Sequence, residues 1–167
     1  TVISINRSKD ERETPVALLD WLATFKSDTS KPSLAWIAGV GDMMPGRGVG
    51  RAMAKTNGID RVFDDTLPLL RSVDLLVGNL EGAVTEGGVR TEKSYTFRFG
   101  RATLEHLKEA GFDYLSLTNN HSFDYGQAGF LDTLANFQEV GMATSGAGLD
   151  PASASAPAVF RVGDIEL

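Results

Sequence analysis

The chain has 167 residues, the size of one domain or most of one, and 42% of them are hydrophobic, enough to fill a core. It has no cysteine, which excludes disulfides, thiolate zinc sites and cysteine nucleophiles. A net charge of −6 argues against nucleic acid or an anionic membrane surface as the main partner, and no run of about 18 apolar residues is present to span a bilayer as a helix.

Residues 1–33 read as a separate N-terminal segment. Thr14-Pro15 is a helix start, with Thr as N-cap and Pro at the first helical position. Leu18, Leu19, Leu22 and Phe25 then recur at helical spacing, and the polar stretch Ser27 to Ser33, with Pro32, reads as a linker. The chain begins at Thr1 rather than Met, so the lack of a recognisable leader leaves its location open.

From Leu34 strands and helices alternate. The apolar run Leu34 to Val40 predicts a buried strand, followed by a loop from Gly41 to Gly50. A helical stretch lies within Arg51 to Arg71, interrupted by Gly58 and Pro68, and a second strand covers about Leu75 to Val77. A polar loop, Gly82 to Lys93, leads into the alternating Tyr95 to Phe99, read as an edge strand. A helix over Ala102 to Ala110 stops at Gly111. The strand Tyr114 to Leu117, a helix from Gln127 to Val140 stopped by Gly141, and a short strand Met142 to Ser145 follow. A loose Gly/Ala/Ser/Pro loop ends in a hairpin turning at Val162-Gly163-Asp164-Ile165.

Alternating strands and helices predict an α/β fold with a mostly parallel sheet, in which ligands sit outside the carboxyl ends of the strands. Three polar clusters stand at those ends: Gly41-Asp42-Met43-Met44, Gly78-Asn79-Leu80-Glu81 and Asn119-Asn120-His121-Ser122. Each has a plain reading: Asp42 as a turn former, Glu81 as a solvated loop carboxylate, His121 as a turn histidine with Ser122 or Asp124 capping the next helix. Their joint occurrence favours a site of carboxylate, amide and imidazole groups suited to Mg²⁺ or Mn²⁺, with Zn²⁺ or Fe as further candidates. His121 is expected to be partly exposed, and His106, among Glu105, Lys108 and Glu109, to be solvated. Gly46 to Arg51 fits neither a P-loop nor a dinucleotide fingerprint, yet Arg47 beside Asp42 suits an anionic group. No G-x-S-x-G elbow is present.

These motifs carry a resemblance. Gly41-Asp42-Met43-Met44-Pro45-Gly46-Arg47, Asn79-Leu80-Glu81, Ala110-Gly111-Phe112-Asp113 and Asn119 through Gly126, together with Thr133-Leu134 and Gly146-Ala147-Gly148, resemble the CapA family of capsule-synthesis proteins over roughly residues 34–162. The resemblance implies the N-terminal part of a calcineurin-like metallophosphoesterase domain, an α/β/β/α sandwich, in residues 34–167. It also implies poly-γ-glutamate capsule synthesis and a membrane-associated or extracytoplasmic setting. Asp42, Glu81 and Asn120 then stand as metal ligands, Asn120 and His121 as catalytic residues, and Arg47 and Asn119 as substrate-binding residues. The expected partners are an anionic polymer or a phosphoester, and a capsule-synthesis membrane complex. Where phosphoesterases carry Asp-x-His, this chain has Met44 in the His place. The family's later His- and Glu-bearing motifs are expected beyond Leu167, leaving the metal site of this chain incomplete. Two rival readings are a metal-dependent phosphoesterase and a non-catalytic assembly subunit of a capsule-export complex.

Overall fold

A computed structural model of the chain describes residues 34–55 and 58–167, so the helix and linker expected within residues 1–33 lie outside the described residues. Its centre is a parallel sheet in the order β1 (Ile37–Met43), β2 (Leu75–Leu80), β5 (Tyr114–Ser116). The α/β class and the parallel sheet follow the sequence expectation. Ile37 pairs with Leu75, Val77 with Tyr114, and Asn79 with Ser116, which fixes β2 as the central strand.

Side chains alternate across β2. Leu76, Gly78 and Leu80 are buried, whereas Val77 and Asn79 are only partly covered. The covered face meets the helices α4 (Arg101–Ala110) and α5 (Gly126–Val140). Leu76, Leu80, Leu104, Leu107, Phe112, Leu115 and Phe137 all belong to one core there. Removing an aliphatic side chain of this kind from water is worth about 1.5–3 kcal/mol. Both long helices end where the sequence says, at Gly111 (φ 109°) and Gly141 (φ 66°), left-handed positions that disfavour a Cβ.

Asp113 ties α4 to the sheet. Its carboxylate accepts from the Leu76 N–H at 2.8 Å, and its own N–H donates to the Leu76 carbonyl at 3.0 Å. The Ala110-Gly111-Phe112-Asp113 motif is thus a helix stop and a strand clamp.

Several local expectations are corrected. β1 is an edge strand with one neighbour among the described residues, and Ile37 is 51% exposed rather than buried. The helix expected after residue 50 starts earlier, as α1 (Arg47–Met53), because Gly50 lets the first turn close on Pro45: a Cβ there would come within 2.7 Å of the Pro45 carbonyl oxygen. It is followed by α2 (Gly58–Phe63), a 3₁₀ turn over Asp64–Thr66 and the single turn α3 (Leu67–Leu70). Of the expected edge strand at 95–99, only β4 (Arg98–Phe99) forms, pairing in parallel with β3 (Ala83–Val84) from the supposed polar loop. Met142 to Ser145 contributes one bridge, Ala143 to Tyr114. The loose loop contains α6 (Pro151–Ser155), whose Asp150 and Ser153 form a reciprocal capping box. The terminal hairpin forms as expected from β6 (Arg161–Val162) and β7 (Ile165–Glu166).

Candidate functional site

The polar clusters lie at the carboxyl ends of β1, β2 and β5, and the register decides what each residue faces. Between Gly39 and Asp42 the β1–β2 ladder shifts: Gly39 pairs with Val77 but Asp42 pairs with Asn79. In unbroken register Asp42 would stand opposite Leu80 and share its buried face. The extra residue puts Asp42 on the open face beside Asn79, since strand side chains alternate with a period of two. There the Asn79 amide donates to Asp42 Oδ1 at 2.7 Å.

The row continues into the next strand end. Asn119 Nδ2 donates to Asn79 Oδ1 at 3.2 Å and to the Leu80 carbonyl at 2.9 Å, while its Oδ1 accepts from the His121 N–H at 2.9 Å. Asn119, read from the sequence as a substrate contact, therefore has both ends of its amide engaged in stitching β2 to the β5 loop. Ser122 does not cap a helix: its hydroxyl donates to the carbonyls of Leu117 and Asn119. Asn120 is exposed on this loop, and its carbonyl accepts from Lys93 Nζ.

His121 is buried, 8% exposed, which corrects the expected partly exposed loop position. Its ring lies 4.3 Å, centroid to centroid, from Phe97, and Nδ1 is 2.7 Å from Asp124 Oδ2. Nε2 is 3.7 Å from Glu81 Oε1. Arg47, at a left-handed φ of 51°, places its guanidinium carbon 5.3 Å from the Phe97 ring centroid. Phe97 thus brings Arg47 and His121 to one place. His106 is half-buried on α4 rather than fully solvated.

Asp124, read from the sequence only as a helix cap, is the carboxylate on which this cluster converges. It is fully buried and does not cap α5, whose N-cap is Tyr125 without a side-chain bond. Burial alone would raise its carboxyl; the bonds from Lys93, His121 and the Phe97 N–H together outweigh that and hold it below the usual aspartate range. A histidine and an aspartate three residues apart in one turn were a readable signal. Lys93 and Phe97 gave none, since they reach Asp124 from 31 and 27 residues away.

The donor chemistry fits a hard divalent cation in part. Asp42 and Glu81 supply carboxylate oxygens at adjacent strand ends, yet among the described residues no three His, Asp or Glu side chains group closely enough to hold a metal ion. Met44 is partly buried and packs against the hydrophobic core.

The family described as "Bacterial capsule synthesis protein PGA_cap" matches residues 36–167. Over 113 residues the chain is 36% identical to the "Capsule biosynthesis protein CapA" of Bacillus anthracis, covering 65% of this chain and 27% of that protein. Over 111 residues it is 33% identical to the "PGA biosynthesis protein CapA" of Bacillus subtilis (strain 168), covering 65% of this chain and 29% of that protein. The chain spans under a third of the length of these curated relatives.

Proposed function

Because the chain belongs to the PGA_cap family of bacterial capsule synthesis proteins, we propose that it supplies the N-terminal part of a CapA-type domain that handles an anionic polymer of the poly-γ-glutamate class. The observation that carries this reading is the hydrogen-bonded row Asp42–Asn79–Asn119, with Glu81 beside His121, built from the motifs that resemble the family. The wider fold is read as the calcineurin-like sandwich, whose second sheet would cover the open face of β1 and β2. The setting is extracytoplasmic or membrane-associated, with a capsule-synthesis membrane complex as partner.

Asp42, Glu81 and Asn120 are the residues that would hold a divalent cation, Mn²⁺ or Mg²⁺ by donor type, with ligands from elsewhere in the longer protein completing the set. When bound, such an ion supplies Lewis-acid polarisation of a substrate oxygen and a more acidic bound water. His121 acts through Nε2, the ring nitrogen not engaged by Asp124: once that nitrogen is protonated it donates to charge that develops as a bond breaks. Arg47 pairs with a carboxylate of the polymer. Met44, packed against the core where the resemblance would put a histidine, offers no nitrogen ligand, which favours this reading over a general phosphoesterase.

The test is complementation of a capsule-deficient strain with the full-length protein. Asp42→Asn, Glu81→Gln and His121→Gln each lower polymer output by about 100-fold, the usual cost of removing one such group, while His106→Ala leaves it unchanged. Full output from all three site variants would overturn the catalytic reading and favour a non-catalytic assembly subunit. Hydrolysis of simple phosphoesters by the purified protein, lost in the same variants, would favour the phosphoesterase.

A further inference from the structure

We propose that Asp124 is a positioning residue for His121, fixing its imidazole as the tautomer protonated on Nδ1 and presenting Nε2 toward Glu81. The inference rests on the reading that His121 works at the strand ends, but its geometry stands by itself.

Three groups converge on one buried carboxylate. Lys93 Nζ lies 2.7 Å from Oδ1, and the Phe97 N–H and His121 Nδ1 each lie 2.7 Å from Oδ2. An ammonium and a backbone amide can only donate, so two of the three partners require acceptors. The Lys93 charge favours the ionised carboxylate, which has no proton to give. Nδ1 must therefore be the donor, and the hydrogen of the neutral ring sits there. That leaves Nε2, 3.7 Å from Glu81 Oε1, as the nitrogen able to take up or return a proton or to bind an ion.

The ring plane is held as firmly as its tautomer. The Phe97 ring lies against the imidazole at a 33° tilt, and its own N–H donates to Asp124, so one residue contacts both partners. The segment carrying Lys93 and Phe97 is tied to the same residue, because the Asp124 carbonyl accepts from the Thr91 N–H at 2.9 Å and from its hydroxyl at 3.1 Å. Asp124 thus joins the 91–97 segment to the histidine through its side chain and its backbone. Lys93, 41% exposed at its side chain, brings the ammonium that offsets burial of this carboxylate.

Selective ¹⁵N labelling of histidine rings in the full-length protein reads the tautomer, with the His121 signals identified by their loss in His121→Gln. The wild-type protein shows the proton on Nδ1. Asp124→Ala removes the acceptor, moves the population toward the Nε2-protonated form that free histidine favours, and lowers polymer output by about 10–100-fold. Asp124→Asn restores most of both, because its amide oxygen can accept from His121 and Phe97 while Lys93 turns to solvent. A neutral wild-type ring with its proton on Nε2 and Nδ1 bare overturns the proposal without recourse to any variant, so a misfolded Asp124→Ala does not protect it. An unchanged tautomer and full output in a folded Asp124→Ala also overturn it. The tautomer is read without a polymer assay, so this result is separable from the strand-end reading, which stands or falls with Asp42 and Glu81.

Discussion

The same substitution on two neighbouring strands should change stability in opposite directions. Gly78 lies on the covered face of β2, where an added Cβ would meet Met43 Cε at 2.8 Å, Val40 Cγ2 at 2.9 Å and Phe112 Cε1 at 3.3 Å. The methionine end can swing aside, but the β-branched valine cannot. Gly39 lies on the open face of β1, where the nearest atom to a new Cβ is Val77 Cγ2 at 3.8 Å, an ordinary contact. Replacing a strand glycine by alanine gains about 0.5–1 kcal/mol of chain entropy, and overpacking a core costs about 1–3 kcal/mol. Gly39→Ala therefore stabilises by about 0.5–1 kcal/mol, whereas Gly78→Ala loses about 0.5–2 kcal/mol net. With a urea m-value of about 2 kcal/mol/M, the two midpoints separate by about 0.5–1.5 M. Urea unfolding of the 167-residue chain followed by far-UV circular dichroism measures this. Gly78→Ala also pushes β1 away from β2 beside the Asp42–Asn79 bond, so polymer output in the full-length protein falls with it. Equal midpoints, or a more stable Gly78→Ala, would refute the assignment of the covered and open faces.

Two further predictions concern single polar groups. The buried Thr133 hydroxyl accepts from the Val84 N–H at 2.9 Å and donates to the Gly129 carbonyl at 2.7 Å, so Thr133→Val strands a buried backbone donor and costs about 1–3 kcal/mol, while Thr133→Ser costs less; thermal melts of the pair decide it, and equal melting temperatures would remove the bond from the account. Asp124 lies below the ordinary aspartate value of 3.8 because its hydrogen bonds outweigh burial, and Asp150 because Ser153 donates to it. The unfolded chain then binds more protons just below 3.8, so this stability is complete above that pH and is lost as pH falls through the lower folded values. Melting temperatures that stay flat through that acid window would show that neither carboxyl is held.

What the sequence by itself determined was local or periodic. The ends of α4 and α5 were legible because glycine alone tolerates φ of 109° and 66° cheaply, and the terminal hairpin because a turn needs only its own residues. Short apolar runs between helices gave the parallel sheet, and the motifs following them gave Asp42, Glu81 and His121. Tertiary structure decided which way those residues face and what they touch. The register shift that turns Asp42 toward Asn79 is a relation between strands 37 residues apart, invisible along either strand. The burial of His121 depends on Phe97 and on Asp124, and the charge beside Asp124 arrives from Lys93, 31 residues earlier. Periodicity along a chain reports which face of an element is apolar, whereas a site depends on which distant elements that face brings together, and that is fixed only when the core closes.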